Sequence, residues 1–141
     1  MTPSEVADVQ KSFAMVAPIA DQAGMMFYER LFVLDPSLRP MFADDLTEQS
    51  RKLMHVLAVA ANGLSKPDAL VPIVQALGAK HVDYGVKDKD YDTVGQALIW
   101  TLEKGLAGSF TPQVKSAWLS AYTLLSSIMK DAAAKRVSAH A

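Results

Sequence analysis

An all-α fold is predicted by three observations. Apolar residues recur every three to four positions along the chain, no stretch alternates as a half-buried strand would, and prolines and glycines divide the periodic runs. With 141 residues, half of them hydrophobic, the chain suits a single domain over 1–141, with a core large enough to enclose a ligand. Counting short pieces, about seven or eight helices are expected.

Thr2, Pro3 and Glu5 supply an N-cap, a proline at the first helical position and a capping-box acid, so a first helix opens there and runs to about Ala17. Pro18 forces a corner. From Pro18 to about Leu34 the residues Ala20, Ala23, Phe27, Leu31 and Leu34 form one stripe, and Gly24 permits another helix to approach closely. Asp35-Pro36-Ser37 ends that helix, and a short turn holding Pro40, Met41 and Phe42 follows. After Thr47, Leu53, Leu57, Ala60, Ala61 and Leu64 define a helix that stops between Gly63 and Pro67. The next stripe is Leu70, Ile73, Val74, Leu77 and His81, broken by Gly85. A further helix spans about 90–106 (Val94, Leu98, Ile99, Leu102), and Thr111-Pro112 starts the longest one, carrying Val114, Trp118, Ala121, Tyr122, Leu125, Ile128 and Met129. The apolar face ends at Lys130, so 131–141 are expected to fray.

Composition excludes several chemistries. Fourteen basic residues balance fifteen acidic ones without a block of like charge, which argues against nucleic acid or an anionic membrane as partner. No cysteine is present, so disulfides, thiolate nucleophiles and iron–sulfur clusters are out. The N-terminus lacks a basic, apolar leader and no run is long enough to span a membrane, so the cytoplasm is the expected location.

Three histidines remain as metal ligands. His140 sits in the tail and is set aside. His55 lies about 200° round the helix from Leu53 and faces away from any pocket Leu53 lines. His81 closes an apolar stripe, which aims its imidazole into a core. Two readings are open for it: a core histidine held by the Leu77 carbonyl, or one axial ligand to a haem iron. Gln49 and Leu53 are four residues apart and share a face, so an amide donor and an apolar wall project together. Tyr28 could add a phenol donor. Such donors favour dioxygen over carbon monoxide, because bound dioxygen carries partial negative charge. Taken singly, Tyr28 and Gln49 also fit as half-exposed polar residues, and Phe42 as packing. Arg51, Lys52 and Lys80 could each serve a haem propionate, Lys52 first, although solvated surface charge is the commoner explanation. Met54 adjoins Leu53 and reads as core.

In order, GMMFYERLF, LRPMF, TEQSRKLMHVL, GAKHVDYGV and YDTVGQALIWTL resemble the globin family, most closely single-domain bacterial globins related to the haem domain of flavohaemoglobins. The resemblance covers nearly the whole chain and implies a globin fold around haem b. It implies that His81 is the proximal iron ligand of a pentacoordinate iron, that Phe42 stacks on the haem, that Leu77 contacts it, and that the Tyr91 hydroxyl approaches the proximal histidine, where it could help fix the ring and its tautomer. Tyr28, Gln49 and Leu53 then form the distal pocket. The late glutamate that polarises the proximal histidine in flavohaemoglobins has no counterpart here. SIMKDAAAK offers only Asp131, so a strong push of electron density toward iron is in doubt. No reductase module is read in the chain, so electrons would come from a separate reductase.

The expected function is reversible dioxygen binding. Nitric oxide dioxygenase activity is the alternative, a gas or redox sensor a lesser one, and a cofactor-free helical interaction module the last.

Overall fold

The computed structural model describes residues 1–83 and 85–140, the last three by backbone alone. Six α-helices follow in order: α1 (Pro3–Val16), α2 (Ala20–Leu34), α3 (Thr47–Gly63), α4 (Pro67–Asp83), α5 (Asp88–Leu106) and α6 (Pro112–His140). Three 3-10 turns, Ala17–Ile19, Pro36–Met41 and Ala107–Ser109, complete the order, and no strand occurs among the described residues. The count falls below seven or eight because the proline-bearing corners tighten into 3-10 turns rather than growing into helices.

Local chemistry places most boundaries. At α1 the capping box closes in both directions: Glu5 N donates to Thr2 Oγ1 at 3.1 Å, and Thr2 N donates to Glu5 Oε1 at 2.9 Å. Asp35 caps the Pro36–Met41 turn, accepting from Ser37 N at 3.1 Å. Gly85 takes φ +81°, the left-handed conformation that stops the chain after α4. Pro72 sits inside α4, where its missing N–H would have bonded the Asp68 carbonyl; Pro72 is exposed, so water can satisfy that oxygen.

Packing then follows the predicted stripes with one departure. Ala23, Phe27, Leu31, Leu70, Val74, Leu98, Leu102, Trp118 and Ala121 are buried, whereas Ile73 is 54% exposed. Two glycines bring the backbones of neighbouring helices close together. A Cβ on Gly24 would lie 2.8 Å from Ser50 Cβ, so α2 and α3 cross there as expected, and a Cβ on Gly78 would lie 2.5 Å from the Met129 carbonyl oxygen. The second contact presses α4 onto α6 along an extensive interface. Trp118 buries its indole, donating from Nε1 to Ser12 Oγ at 2.8 Å.

Residues 131–140, expected to fray where the apolar face ends, continue α6 as far as His140. Charge takes over from apolar burial in that segment: Lys135 pairs with Asp131 at 3.1 Å, and Arg136 reaches Asp83 of α4 at 3.2 Å. The side chain of His140 and residue 141 lie outside the described residues.

Candidate functional site

The predicted site residues form two groups on facing parts of the fold. Tyr28, on α2, is 3% exposed and lies in a cage of aromatic rings. Phe27 meets it edge-on at 5.0 Å and Phe42 at 5.3 Å, with Phe32 tilted at 6.1 Å. Gln49, in the first turn of α3, reaches across and donates from Nε2 to the Tyr28 hydroxyl at 3.1 Å. That bond spans 21 positions of sequence and fixes the phenol oxygen as an acceptor. Among the described residues nothing accepts the phenol's own proton. Burial raises the Tyr28 pKa, with the Gln49 bond opposing it, so the group stays a protonated donor at neutral pH.

Phe42 is held from behind by a residue that the sequence reading missed. Arg39 donates from Nη1 to the carbonyls of Phe42 (3.2 Å) and Ala43 (2.9 Å), and from Nη2 to that of Asp44 (3.0 Å). Its guanidinium also sits 5.2 Å from the Phe32 ring centre. Arg39 lies within LRPMF, but an arginine in a polar turn carries no mark of this bracing role.

The second group is at the end of α4. His81 Nδ1 is 2.6 Å from the Leu77 carbonyl oxygen, one turn back. An Nδ1–H tautomer puts the ring's lone pair on Nε2, the atom a metal takes. The Tyr91 ring stands 6.2 Å away, centre to centre, and the Tyr91 hydroxyl is buried with no partner among the described residues. It therefore makes no hydrogen bond to the imidazole here. Burial, then the nearby Asp88 charge, raises the Tyr91 pKa. Tyr122 donates its hydroxyl proton to the Tyr91 carbonyl and so ties α5 to α6 at this level. The cation of Lys130 lies 5.7 Å from the Tyr91 ring centre, while Asp131 is exposed and paired with Lys135. The Tyr91 side of the histidine thus carries Lys130, itself paired with Asp92 at 4.0 Å, where the resemblance raised the question of an acid.

The remaining residues are placed less centrally. Leu53 is half-buried and packs against the hydrophobic core. Lys52 is exposed and pairs with Glu48 at 3.7 Å, and Arg51 pairs with Asp21 at 3.9 Å. His55 is exposed, as its helical phase requires, and Met54 is buried. Between α3 and α4, backed by α1, α5 and α6, runs an apolar cavity of about 510 Å³. Of the candidate residues, Leu77 and Lys80 line it, both on α4 with His81. Among the described residues no three or more histidine, aspartate or glutamate side chains gather as a metal-binding group.

A family model described as globin matches residues 25–129, most of the chain. The chain belongs to the globin family. This globin is 29% identical over 126 residues to a neuroglobin of Danio rerio, a match covering 79% of each chain. It is 27% identical over 136 residues to a flavohemoprotein of Rhizobium meliloti (strain 1021), covering 92% of this chain and 33% of that longer protein. Its fold superimposes on the structure of a bacterial globin from Campylobacter jejuni with a TM-score of 0.86, covering 97% of this chain and 99% of that one at 21% identity.

Family membership implies a haem. The residues present fit one: a buried phenol has a proton and no acceptor among the described residues, and the Leu77 carbonyl takes His81 Nδ1, the ring nitrogen that a metal-binding histidine leaves to such a bond. The apolar walls suit a flat hydrophobic macrocycle. No helix among the described residues is long and apolar enough to cross a membrane.

Proposed function

We propose that this globin reversibly binds dioxygen at haem b, with His81 as the proximal ligand. Haem iron supplies the bond to the gas. The chain's own residues supply the rest. Leu77 fixes the imidazole tautomer. Tyr28 would offer its hydroxyl proton to a gas held in this pocket, and Gln49, donating to the same oxygen, would keep that hydroxyl in line. Phe42 and Leu53 exclude water from the same space. The Gln49 to Tyr28 hydrogen bond carries this reading, because it orders a buried donor toward something outside the protein's own set of acceptors.

The test is the rate of dioxygen release from the ferrous protein and from the Tyr28→Phe and Gln49→Leu variants. A hydrogen bond to a charged acceptor is worth about 1.5 to 3 kcal/mol, so losing the Tyr28 donor should speed release by roughly one to two decades. Gln49→Leu, which only frees the phenol to rotate, should have the smaller effect. Unchanged release in both variants defeats the assignment.

The likeness to a flavohemoprotein favours a second reading, nitric oxide dioxygenation. Nitric oxide, dioxygen and one electron from a separate reductase give nitrate. The same donor pair serves this chemistry, while the Lys130 cation on the Tyr91 side of the histidine does not supply a strong electron push. Nitrate formed over many cycles with a generic reductase separates this enzyme from a carrier, which stalls after one.

A further inference from the structure

Two side-chain hydrogen bonds tie α2 to α3 where they cross, and only one of them serves the pocket. Gln49 donates to the buried Tyr28 hydroxyl. Its chain neighbour Ser50 is buried and donates from Oγ to Met25 Sδ at 3.2 Å. Met25 lies three residues before Tyr28 on α2, so the two bonds leave that helix about one turn apart and reach adjacent residues of α3. Little slack separates the helices: a Cβ on Gly24 would lie 2.8 Å from Ser50 Cβ and 3.1 Å from the Ser50 carbonyl oxygen. The ion pair of Arg51 with Asp21, at 3.9 Å, also crosses here, but it is exposed and holds weakly. Unlike Ser50, Met25 is 38% exposed. Met1, Met15 and Met41 are exposed too, yet among the described residues Met25 alone of these four carries a hydrogen bond on its sulfur.

We propose that Met25 is a reversible sulfoxidation site through which hydrogen peroxide loosens the α2–α3 crossing and speeds the release of dioxygen; the effect on release rests on the dioxygen reading above. In the reaction a sulfur lone pair attacks one peroxide oxygen, and the O–O bond breaks as the S–O bond forms. The departing hydroxide takes the proton left on the transferred oxygen, giving sulfoxide and water. Sulfur loses two electrons and the peroxide gains them. The Ser50 bond occupies one sulfur lone pair, which leaves the second for attack. A thioether is a weak acceptor for a buried hydroxyl, whereas a sulfoxide oxygen is a strong one, so the Ser50 proton passes to the new oxygen. That oxygen stands between the hydroxyl and the sulfur, and the two side chains must move apart to admit it. Ser50 has a single side-chain torsion, so the displacement is carried into the start of α3 and to Gln49 beside it. A flexible apolar side chain has also become a polar, chiral one that draws water to the crossing. Gln49 then holds the Tyr28 hydroxyl less firmly.

In the experiment the haem-loaded ferrous protein, with carbon monoxide bound to protect the iron, is treated with hydrogen peroxide. Peptide mass spectrometry locates the added oxygen, fragment ions separating Met25 from Met15 and Met26. Sulfoxide is expected at Met25 as early as at Met15, and well before the buried Met54. Once carbon monoxide is removed, dioxygen release should be roughly three- to tenfold faster than in untreated protein, less than the effect of losing the Tyr28 donor. A methionine sulfoxide reductase supplied with a dithiol, which is oxidised to its disulfide as water leaves, should restore the original rate. Met25→Leu, a swap that keeps the volume, should show no response to peroxide relative to its own untreated rate, while Met15→Leu responds as the wild type does. Hydrogen exchange adds a readout independent of any gas: amides of α2 and of the first turns of α3 should exchange faster after oxidation, and should not in Met25→Leu. A Met25 that stays unoxidised, an equal response in Met25→Leu, or unaltered exchange at the crossing overturns the proposal. If Tyr28→Phe releases dioxygen at the wild-type rate, the dioxygen reading falls by itself and exchange still judges the site. If Tyr28→Phe releases faster but oxidation of Met25 alters exchange alone, the link to the gas is refuted.

Discussion

Gly78→Ala tests the contact that sets where His81 stands. A methyl group at this position would lie 2.5 Å from the Met129 carbonyl oxygen and 2.6 Å from its Cα. Ordinary contact begins near 3.4 Å, so α4 must retreat from α6 by about 0.9 Å. Both obstructing atoms belong to backbone in the middle of a helix, so no rotamer change relieves the clash. Overpacking of this kind costs about 3 kcal/mol at the upper end of its usual range, and the gain in helix propensity from glycine to alanine returns about 1 kcal/mol. A net loss of about 2 kcal/mol follows, or a fall in Tm of roughly 4 to 8 °C for a domain of this size. His81 lies three residues further along the same helix, so its imidazole moves with it. Urea denaturation of the haem-loaded protein gives the stability, and the visible spectrum of the ferrous form reports the histidine's geometry. Gly108→Ala is the control. It has nothing within 4 Å of the added methyl and no positive φ, so it should be neutral or stabilising. If Gly78→Ala is as stable as Gly108→Ala and leaves the spectrum unchanged, the close packing of α4 on α6 does not position the site.

Two further outcomes concern the core and the tyrosines. Ser12→Ala strands the buried Trp118 N–H, whose acceptor is Ser12 Oγ at 2.8 Å, and should cost about 1 to 3 kcal/mol by urea denaturation. A loss below about 0.5 kcal/mol would show that the indole finds another acceptor. Burial raises the pKa of Tyr28, Tyr91 and Tyr122 in the folded chain, with neighbouring charge adding to the last two. Their contribution to stability is therefore constant below the unfolded value, near pH 10, and declines above it, since the unfolded phenols ionise first. Each adds a slope of about 1.4 kcal/mol per pH unit in that region. Phenolate absorbance should then appear late and together with unfolding. Smooth titration of all tyrosines near pH 10 without loss of helix would contradict it.

What the sequence determined on its own is what local chemistry controls. Helical period, the Thr2 to Glu5 box and Gly85 placed the helices to within a few residues, apart from the C-terminal end of α6, because backbone hydrogen bonds and caps need only neighbours along the chain. The order of Tyr28, Phe42, Gln49, Leu53 and His81 pointed to the family, and the family model confirms it. Tertiary structure decided the rest. Whether Tyr28 and Gln49 are idle polar residues or a bonded pair depends on how α2 and α3 cross, which the absent side chain of Gly24 permits. Ile73 obeys the stripe yet faces water, because α4 is held by α6 at Gly78 and leaves a cleft toward α3. Arg39 carried no signal in the sequence; its role comes from the turn that folds three carbonyls toward its guanidinium. Periodicity assigns a residue to a face, but the partner of that face is set by helix crossings, and these depend on side-chain volumes far apart in sequence.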